Sequence, residues 1–247
     1  MRELALVPLA GLVLAAAMAG CGADKEKAAS TRATTPTAAS TTAPARRAAG
    51  AAALPPGPRT CVRAAQPKPR GPQHVPKPTA RLSSGHSYTA IVLTSCGNFA
   101  IALDVKKAPK TASSFAYLAR GGFYNGLTFH RIVPGFVIQG GDPRGNGQGG
   151  PGYSVVEAPP SSTKYTRGVV AMAKTEIQDP GTSGSQFFIV LGPDAQLPAD
   201  YALVGKVSAG LNVVDRIATQ STDQANPDPN RREQPLHAVV IRRITIR

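Results

Sequence analysis

The sequence predicts a mainly β fold, a closed β-barrel capped by two α-helices and preceded by a disordered linker. The later two thirds of the 247-residue chain consists of short apolar segments separated by Gly and Pro, which is typical of strands joined by turns. One segment near each end of this region has helical spacing, and the region contains no internal repeat. Many short strands with a helix at each end favour a sheet that closes on itself.

The first predicted elements of this region are a hairpin and a helix. Residues 88–94 are β-branched and apolar, and the next large apolar residues alternate with smaller ones. Gly97 and Asn98 lie between these two runs and are predicted to form the hairpin turn. Pro109 suits the first position of a helix, and Gly121 follows the last residue that has helical spacing. We therefore predict a helix that starts at Pro109.

The remaining elements are predicted from shorter patterns. Four apolar segments bounded by Gly or Pro predict further strands, at residues 129–139, 168–173, 186–191 and 201–207. Residues 211–218 have helical spacing and predict the second helix, and residues 237–247 end the chain as a strand.

The first 21 residues predict an export signal. Residues 4–20 form an almost unbroken apolar run, slightly short for a membrane span, and Arg2 precedes it. The run ends in Met-Ala-Gly-Cys, which resembles a bacterial lipobox, so we expect Cys21 to carry lipid and to become the first residue of the mature protein. The alternatives are an ordinary cleaved signal and an uncleaved anchor. A lipidated Cys21 would place the protein outside the cytoplasm, anchored to the bacterial cell membrane.

Residues 22–84 predict a disordered, extended linker. They are rich in Ala, Thr, Pro, Arg and Lys and contain scarcely any large apolar residue, so they cannot bury enough surface to offset their chain entropy. Residues 1–84 carry 12 of the 28 basic residues and 3 of the 14 acidic ones. This charge either holds the linker near anionic head groups or acidic wall polymers, or only keeps it soluble. Because much of the net charge lies outside the folded part, we do not expect a nucleic-acid partner.

Two cysteines remain if Cys21 is lipidated. An even pair in an exported protein favours a disulfide, here between Cys61 and Cys96. Such a bond would attach the end of the linker to the predicted hairpin turn. Two free thiols are the alternative.

Four ordered sequence blocks lie within residues 85–247. Residues 129–142 read FHRIVPGFVIQGGD, residues 168–173 read GVVAMA, residues 183–189 read SGSQFFI and residues 204–207 read VGKV. Together they resemble the cyclophilin family of peptidyl-prolyl cis/trans isomerases. The resemblance implies a closed eight-stranded antiparallel barrel with two capping helices, prolyl-isomerase activity and no cofactor. We expect a monomer whose partners are proline-containing peptides and unfolded exported proteins.

The chemistry of prolyl isomerisation needs few groups. The barrier of about 18–20 kcal/mol arises because the nitrogen lone pair is delocalised into the carbonyl group. In the twisted state this nitrogen is pyramidal and accepts a hydrogen bond, so a fixed donor, an apolar socket for the ring and anchors for the peptide backbone suffice. The guanidinium of Arg131 is permanently charged and offers several donors in one plane, so it is the expected donor.

The resemblance also implies the other site residues. The expected catalytic residues are Arg131, Phe136 and Gln139, and the expected substrate-binding residues are Val137, Ala173, Phe188, Gln196, Leu197 and Tyr201. In a gap-free alignment Gln196 stands where many eukaryotic members have Trp, and Tyr201 where they have His. The missing Trp removes a donor and a flat apolar wall that the drug cyclosporin A uses, so we expect weak inhibition by that drug.

Other functions have weaker support in the sequence. The four histidines are scattered without metal-ligand spacing, so no metal site is expected. The Gly-rich residues 145–150 lack the Gly-Lys-Ser/Thr of a phosphate loop. A proline-binding module or holdase with little turnover is the main alternative to an enzyme, and a structural wall protein is a third possibility. The presence of Arg131, Phe136, Gln139 and Phe188 favours the enzyme.

Overall fold

The computed structural model describes residues 54–228 and 231–247, which contain ten β-strands and two α-helices. The strands are β1 (Thr89–Thr94), β2 (Gly97–Leu103), β3 (Leu127–Val133), β4 (Val137–Gly140), β5 (Val155–Val156), β6 (Val169–Met172), β7 (Thr182–Ser183), β8 (Phe187–Val190), β9 (Leu203–Ala209) and β10 (Val240–Ile246). The helices are α1 (Pro109–Arg120) and α2 (Leu211–Ala218). Eight strands close into an antiparallel barrel in the order β1-β10-β3-β4-β8-β6-β9-β2, and β5 pairs with β7. The predicted barrel with two helices is confirmed.

Successive side chains of each barrel strand point alternately to the barrel interior and to its outer face. The inward-facing residues of β3, β4, β8 and β6 lie opposite one another and are fully buried: Ile132, Ile138, Ile189 and Val170. Aromatic rings fill the space beside them, and Phe187 packs against Phe115, Tyr124 and Phe129 with centroid distances between 5.5 and 5.8 Å. Because successive residues of a strand point to opposite faces, the neighbours of the inward residues lie on the outside of the barrel.

Helix α1 begins at Pro109 and is followed by Gly121, as predicted. Its first turn has no side-chain cap of its own. Instead the carboxylate of Glu157 accepts hydrogen bonds from the N–H groups of Lys110 and Thr111, at 3.0 and 2.7 Å. A negative charge at this end of a helix is favourable, so Glu157 stabilises the start of α1.

The turn between β1 and β2 lies two residues earlier in the sequence than predicted. Ser95 and Cys96 form the turn, and Gly97 is the first residue of β2, with a φ of 124°. The Thr94 hydroxyl donates to the Gly97 carbonyl at 2.6 Å and accepts from the Cys96 N–H at 3.0 Å. Asn98 is therefore a strand residue and not part of the turn.

Residues 54–84, which we name the strap, lie against the barrel, so the predicted disorder is wrong for this part of the linker. The strap is largely extended, as predicted, without a helix or a strand of its own. The Val62 N–H donates to the Ser95 carbonyl and the Val75 N–H to the Pro151 carbonyl, both at 2.8 Å. Composition does not reveal this order, because the bonds use main-chain groups that only the folded barrel places within reach.

Arg70 gives the strap its most specific attachment. Its guanidinium donates to the carbonyl of Phe123 at 2.9 Å and also to the carbonyl of Asn125. The backbone N–H of Arg70 donates to the carbonyl of Pro143 at 2.8 Å. Pro143 belongs to the loop after β4, so the strap contacts a loop that also borders the candidate site described below.

A disulfide joins the strap to the hairpin. Cys61 is bonded to Cys96 across 35 residues of sequence. The Arg216 guanidinium of α2 donates to the Cys96 carbonyl at 2.7 Å and to the Pro58 carbonyl at 3.3 Å. The bond, the hairpin turn and α2 therefore meet at one place.

Residues 1–53 lie outside the described residues, and with them the predicted signal, its lipobox-like Cys21 and the first half of the linker. Within the described ranges, neither helix is long and apolar enough to cross a membrane.

Candidate functional site

A row of four residues crosses β3, β4, β8 and β6. In the antiparallel register Arg131 lies opposite Gln139, Gln139 opposite Phe188, and Phe188 opposite Ala171. Directly opposite residues of antiparallel strands point to the same face, and these alternate with the inward-facing set. The row therefore lies outside the barrel interior and brings the two longest sequence blocks side by side.

An apolar cluster, separate from the barrel core, adjoins this row. Its buried members are Val137, Tyr165, Ala171, Phe188 and Val190. Partly buried residues pack against them: Phe136, Val169, Ala173, Ala195, Leu197, Tyr201 and Leu203. The structure thus gathers six predicted site residues in one place: Phe136, Val137, Ala173, Phe188, Leu197 and Tyr201. A partly exposed apolar surface built on rigid rings can receive a small apolar ring from a ligand.

Tyr165 supports this cluster and was missed in the sequence. Its hydroxyl donates to the Tyr201 carbonyl at 2.7 Å and accepts from the Tyr201 N–H at 2.9 Å. Burial raises the pKa of Tyr165 to about 12, so the hydroxyl stays protonated near neutral pH and keeps both bonds. The Tyr201 ring in turn meets the Phe188 ring edge-on at 5.5 Å. Tyr165 lies just before the GVVAMA block and belongs to no motif, so only its aromatic character could have drawn attention to it.

The guanidinium of Arg131 is held from two sides. Its Nε donates to the carboxylate of Glu233, and its Cζ lies 5.9 Å from the centroid of the Phe136 ring. About a third of the Arg131 side chain, 34%, remains exposed, so the charged group is accessible to a ligand. Glu233 was also missed in the sequence, because it lies 102 residues away in a polar loop without a motif.

Gln139 belongs to a hydrogen-bond network that reaches the loop after β4. Its side-chain amide donates to Gln186 Oε1 at 3.0 Å, and Gln186 Nε2 donates to the carbonyls of Gly147 and Gly149, both at 2.8 Å. The Asp142 carboxylate accepts from three N–H groups of the same loop, those of Arg144, Asn146 and Gly147. Gln186 thus connects the row to this loop, a role that its position in the SGSQFFI block did not indicate.

A groove of about 500 Å³ runs from Gln139 along this loop, with Ala173 and Gln186 in its wall. A tight turn forms part of the rim, where the Thr175 N–H donates to Gln178 Oε1 at 2.8 Å. Ile177 at the tip of this turn is 97% exposed. The groove lies beside the apolar cluster, since Ala173 belongs to both, so an extended peptide could contact the two together.

Gln196 is the one predicted substrate-binding residue that the structure does not place in the cluster. Its side chain is exposed, while its neighbours Ala195 and Leu197 pack against the buried members. Its φ of 53° is left-handed, and its N–H donates to Asp194 Oδ1 at 2.9 Å.

His130 lies beside Arg131 in the sequence but is buried. Neither ring nitrogen has a hydrogen-bond partner among the described residues. Burial lowers the pKa of His130, and the nearby Asp142 opposes this shift without reversing it. The imidazole is therefore neutral near pH 7. Over residues 54–228 and 231–247, no three His, Cys, Asp or Glu side chains are grouped so that they could hold a metal ion.

The chain matches a known family over the whole barrel, from the first residue of β1 to the last residue of β10. The family model described as cyclophilin type peptidyl-prolyl cis-trans isomerase/CLD matches residues 89–246. The strap precedes the matched range.

Several curated relatives are similar to the chain. Peptidyl-prolyl cis-trans isomerase B of Streptomyces anulatus is 38% identical over 175 residues, which cover 64% of this chain and 95% of the relative. A peptidyl-prolyl cis-trans isomerase of Helicobacter pylori is 42% identical over 131 residues, which cover 52% of this chain and 78% of the relative.

A solved structure is similar as well. The crystal structure of a cyclophilin type peptidyl-prolyl cis-trans isomerase of Cryptosporidium parvum has a TM-score of 0.59 and 30% sequence identity. The match covers 66% of this chain and 98% of that protein. A second crystal structure of the same Cryptosporidium isomerase, obtained in the presence of the dipeptide Ala-Pro, has a TM-score of 0.57.

Proposed function

The chain belongs to the cyclophilin-type peptidyl-prolyl cis-trans isomerase family and is an enzyme of that class, and from this premise we propose where its site lies and where it works. The proposed site is the row of Arg131, Gln139 and Phe188 together with the adjoining apolar cluster. The proposed task is to accelerate rotation about Xaa-Pro bonds in exported proteins, as a monomer at the outer side of the cell membrane.

One observation carries the assignment of the site: the partly exposed donor Arg131 and the apolar cluster lie on the same face of the sheet, and only β4 separates Arg131 on β3 from Phe188 on β8. A prolyl ring seated on Phe136, Phe188, Leu197 and Tyr201 would place its nitrogen near the guanidinium. A hydrogen bond to that nitrogen is stronger in the twisted state than in the planar amide, because the lone pair is then localised. The bond therefore stabilises the transition state selectively, and each 1.36 kcal/mol gives about a tenfold gain in rate.

The flanking peptide backbone would be bound by main-chain and amide groups. The Ala173 N–H already donates to the Gln186 carbonyl at 2.9 Å, so the carbonyl oxygen of Ala173 is the main-chain group proposed to accept from the substrate. The Gln139 amide is proposed to bind the substrate through its second N–H, because the first is directed to Gln186. No proton transfer or covalent bond is needed in this mechanism.

The proposed location outside the cytoplasm has two supports. Residues 1–21 have the pattern of an export signal that ends at Cys21. The Cys61–Cys96 disulfide fits an oxidising compartment, since such bonds are rare in proteins of the cytosol. The signal pattern and the disulfide are separate features of the chain, and both favour a location outside the cytoplasm.

The proposed location predicts that Cys21 of the mature protein carries lipid. Mass spectrometry of the mature N-terminus should find a diacylglyceryl group there, and Cys21→Ser should release the protein from membranes or stop its processing. The matched control is Cys61→Ser, which removes another cysteine and should leave the protein in the membrane fraction. A mature protein that starts at another residue and carries no lipid would rule out the anchor while leaving the isomerase activity untouched.

Weak inhibition by cyclosporin A is a second expected result. Gln196 is exposed and flexible, so it cannot offer the drug the rigid apolar wall that an indole provides. Gln196→Trp should bind the drug more tightly, by roughly 1–3 kcal/mol for one aromatic anchor. Inhibition titrations of both proteins on the same proline peptide make the comparison. Equal inhibition constants would show that residue 196 does not border the drug site.

A further inference from the structure

The loop between α2 and β10 places the carboxylate of Glu233 beside Arg131. The Ile132 N–H donates to the Glu233 carbonyl at 2.8 Å, which fixes the loop backbone against β3. Ile132 directly follows Arg131, so the same attachment brings the Glu233 side chain to the Arg131 side chain. The Glu233 carboxylate accepts a hydrogen bond from Arg131 Nε.

The loop around Glu233 is itself fixed by main-chain bonds. The Asp223 N–H donates to the Gln234 carbonyl at 3.0 Å, and the Leu236 N–H donates to the Ser221 carbonyl at 2.9 Å. These bonds join the residues just after α2 to the residues between Glu233 and β10. The residues that directly follow Glu233 are therefore hydrogen-bonded to the segment that follows α2, which limits the freedom of the carboxylate.

The geometry points to a role for this contact: we infer that Glu233 is a positioning residue, which fixes the Arg131 guanidinium so that its two terminal nitrogens face the bound prolyl bond. This inference rests on the proposed role of Arg131. The Nε of Arg131 is used by Glu233, and the Phe136 ring lies beside Cζ, so two contacts define the plane of the guanidinium. Gln139 does not serve this purpose, because its side-chain N–H is directed to Gln186 and, among the described residues, its side-chain oxygen accepts no hydrogen bond from Arg131.

A fixed guanidinium matters because arginine is a long side chain with many rotamers. An unrestrained Arg131 would present its donors to the prolyl nitrogen only part of the time, and ordering it would oppose each turnover. The negative charge of Glu233 partly offsets the charge of Arg131, so the benefit comes from orientation and not from a stronger field. The inference therefore predicts that a neutral acceptor at position 233 works nearly as well as the carboxylate.

The test compares Glu233→Ala and Glu233→Gln in the full chain. Glu233→Ala should lower kcat and kcat/KM together by about three- to tenfold with little change in KM, as for a contact that acts in the transition state. This loss is smaller than that expected for removing Arg131 itself, because the donor remains present. Glu233→Gln keeps an acceptor for Arg131 Nε and should stay within about twofold of the wild-type kcat. Wild-type kcat in Glu233→Ala, or a higher one, would overturn the inference.

Two further variants separate orientation from general destabilisation. The first is Asp215→Asn, which weakens the ion pair between Arg167 and Asp215. The side chains of this pair are 42% and 46% exposed, close to the 34% and 38% of Arg131 and Glu233, so it is a matched control that should leave kcat unchanged. In an Arg131→Ala background, Glu233→Ala should have no further effect on kcat, because it acts only through the guanidinium. A full additional loss in that background would show a merely structural role and contradict the inference. If Arg131→Ala itself keeps wild-type activity, the proposed site fails, which is distinguishable from a failure at Glu233 alone.

Discussion

Replacing Arg131 by alanine should lower the catalytic efficiency of the isomerase by at least about tenfold to a hundredfold, the loss expected for one oriented charged donor. The side chain is one third exposed and lies outside the barrel interior, so its removal should leave the fold intact. The measurement is kcat/KM on a proline peptide, together with circular dichroism of both proteins. A control for the loss of charge is Arg131→Lys, which keeps a cation without the planar set of donors and should recover only part of the activity.

The Arg131 comparison has a clear contrary outcome. An alanine variant that isomerises the peptide at the wild-type rate, with an unchanged spectrum, would show that the donor lies elsewhere. A variant that is inactive and also loses its spectrum would mean that the residue stabilises the fold, and the Glu233 contact would then have to be reinterpreted in the same way.

Removing the Cys61–Cys96 disulfide should lower the free energy of unfolding by up to about 4 kcal/mol, the chain-entropy value for a closed loop of this length. The bond spans 35 residues that include the whole ordered part of the strap after Cys61. The variant combines Cys61→Ser with Cys96→Ala, because Cys96 is buried and an added hydroxyl there would need a new partner. Urea unfolding of this variant and of the wild type gives the difference.

Wild-type protein treated with a reductant is the matched control for the disulfide prediction. It should unfold at the same urea concentration as the double variant, since both lack the bond. Identical midpoints for oxidised wild type and double variant would contradict the prediction. A lower midpoint with unchanged isomerase activity before unfolding would show that the disulfide contributes to stability and not to catalysis.

The regular elements could be predicted because their signals are local. Pro109 and the glycine after α1 set the limits of that helix, and the short apolar segments became strands near the expected places. The sequence blocks also identified four members of the apolar cluster, Phe136, Val137, Ala173 and Phe188, and the gap-free alignment to the last block added Leu197 and Tyr201. The hairpin turn was displaced, since the Thr94 hydroxyl stabilises a turn at residues that composition does not single out. The segment 129–139 is divided by a turn at residues 134–136 between β3 and β4, and the two-residue strands β5 and β7 were not predicted.

The features that could not be predicted depend on contacts between distant parts of the chain. The order of the strap depends on carbonyl groups of the folded barrel, such as those that accept from Arg70, and composition carries no sign of them. Glu233 is one acidic residue in a polar loop, and only the bond from Ile132 reveals that it reaches Arg131. Gln196 is exposed between two neighbours that pack against the cluster, and it has a left-handed φ, neither of which a gap-free alignment can show.

The closure of the barrel has a consequence for the proposed action on exported proteins that have not yet folded. An open sheet would expose a row of unpaired N–H and C=O groups along its outermost strand, and an extended client could add to that strand and start an aggregate. In the part of the chain that the structure describes, each barrel strand pairs with two neighbours, and the separate β5 and β7 are only two residues long. An unfolded client of the proposed kind would therefore find side chains to bind but no long strand edge to extend, which would favour its release after each encounter.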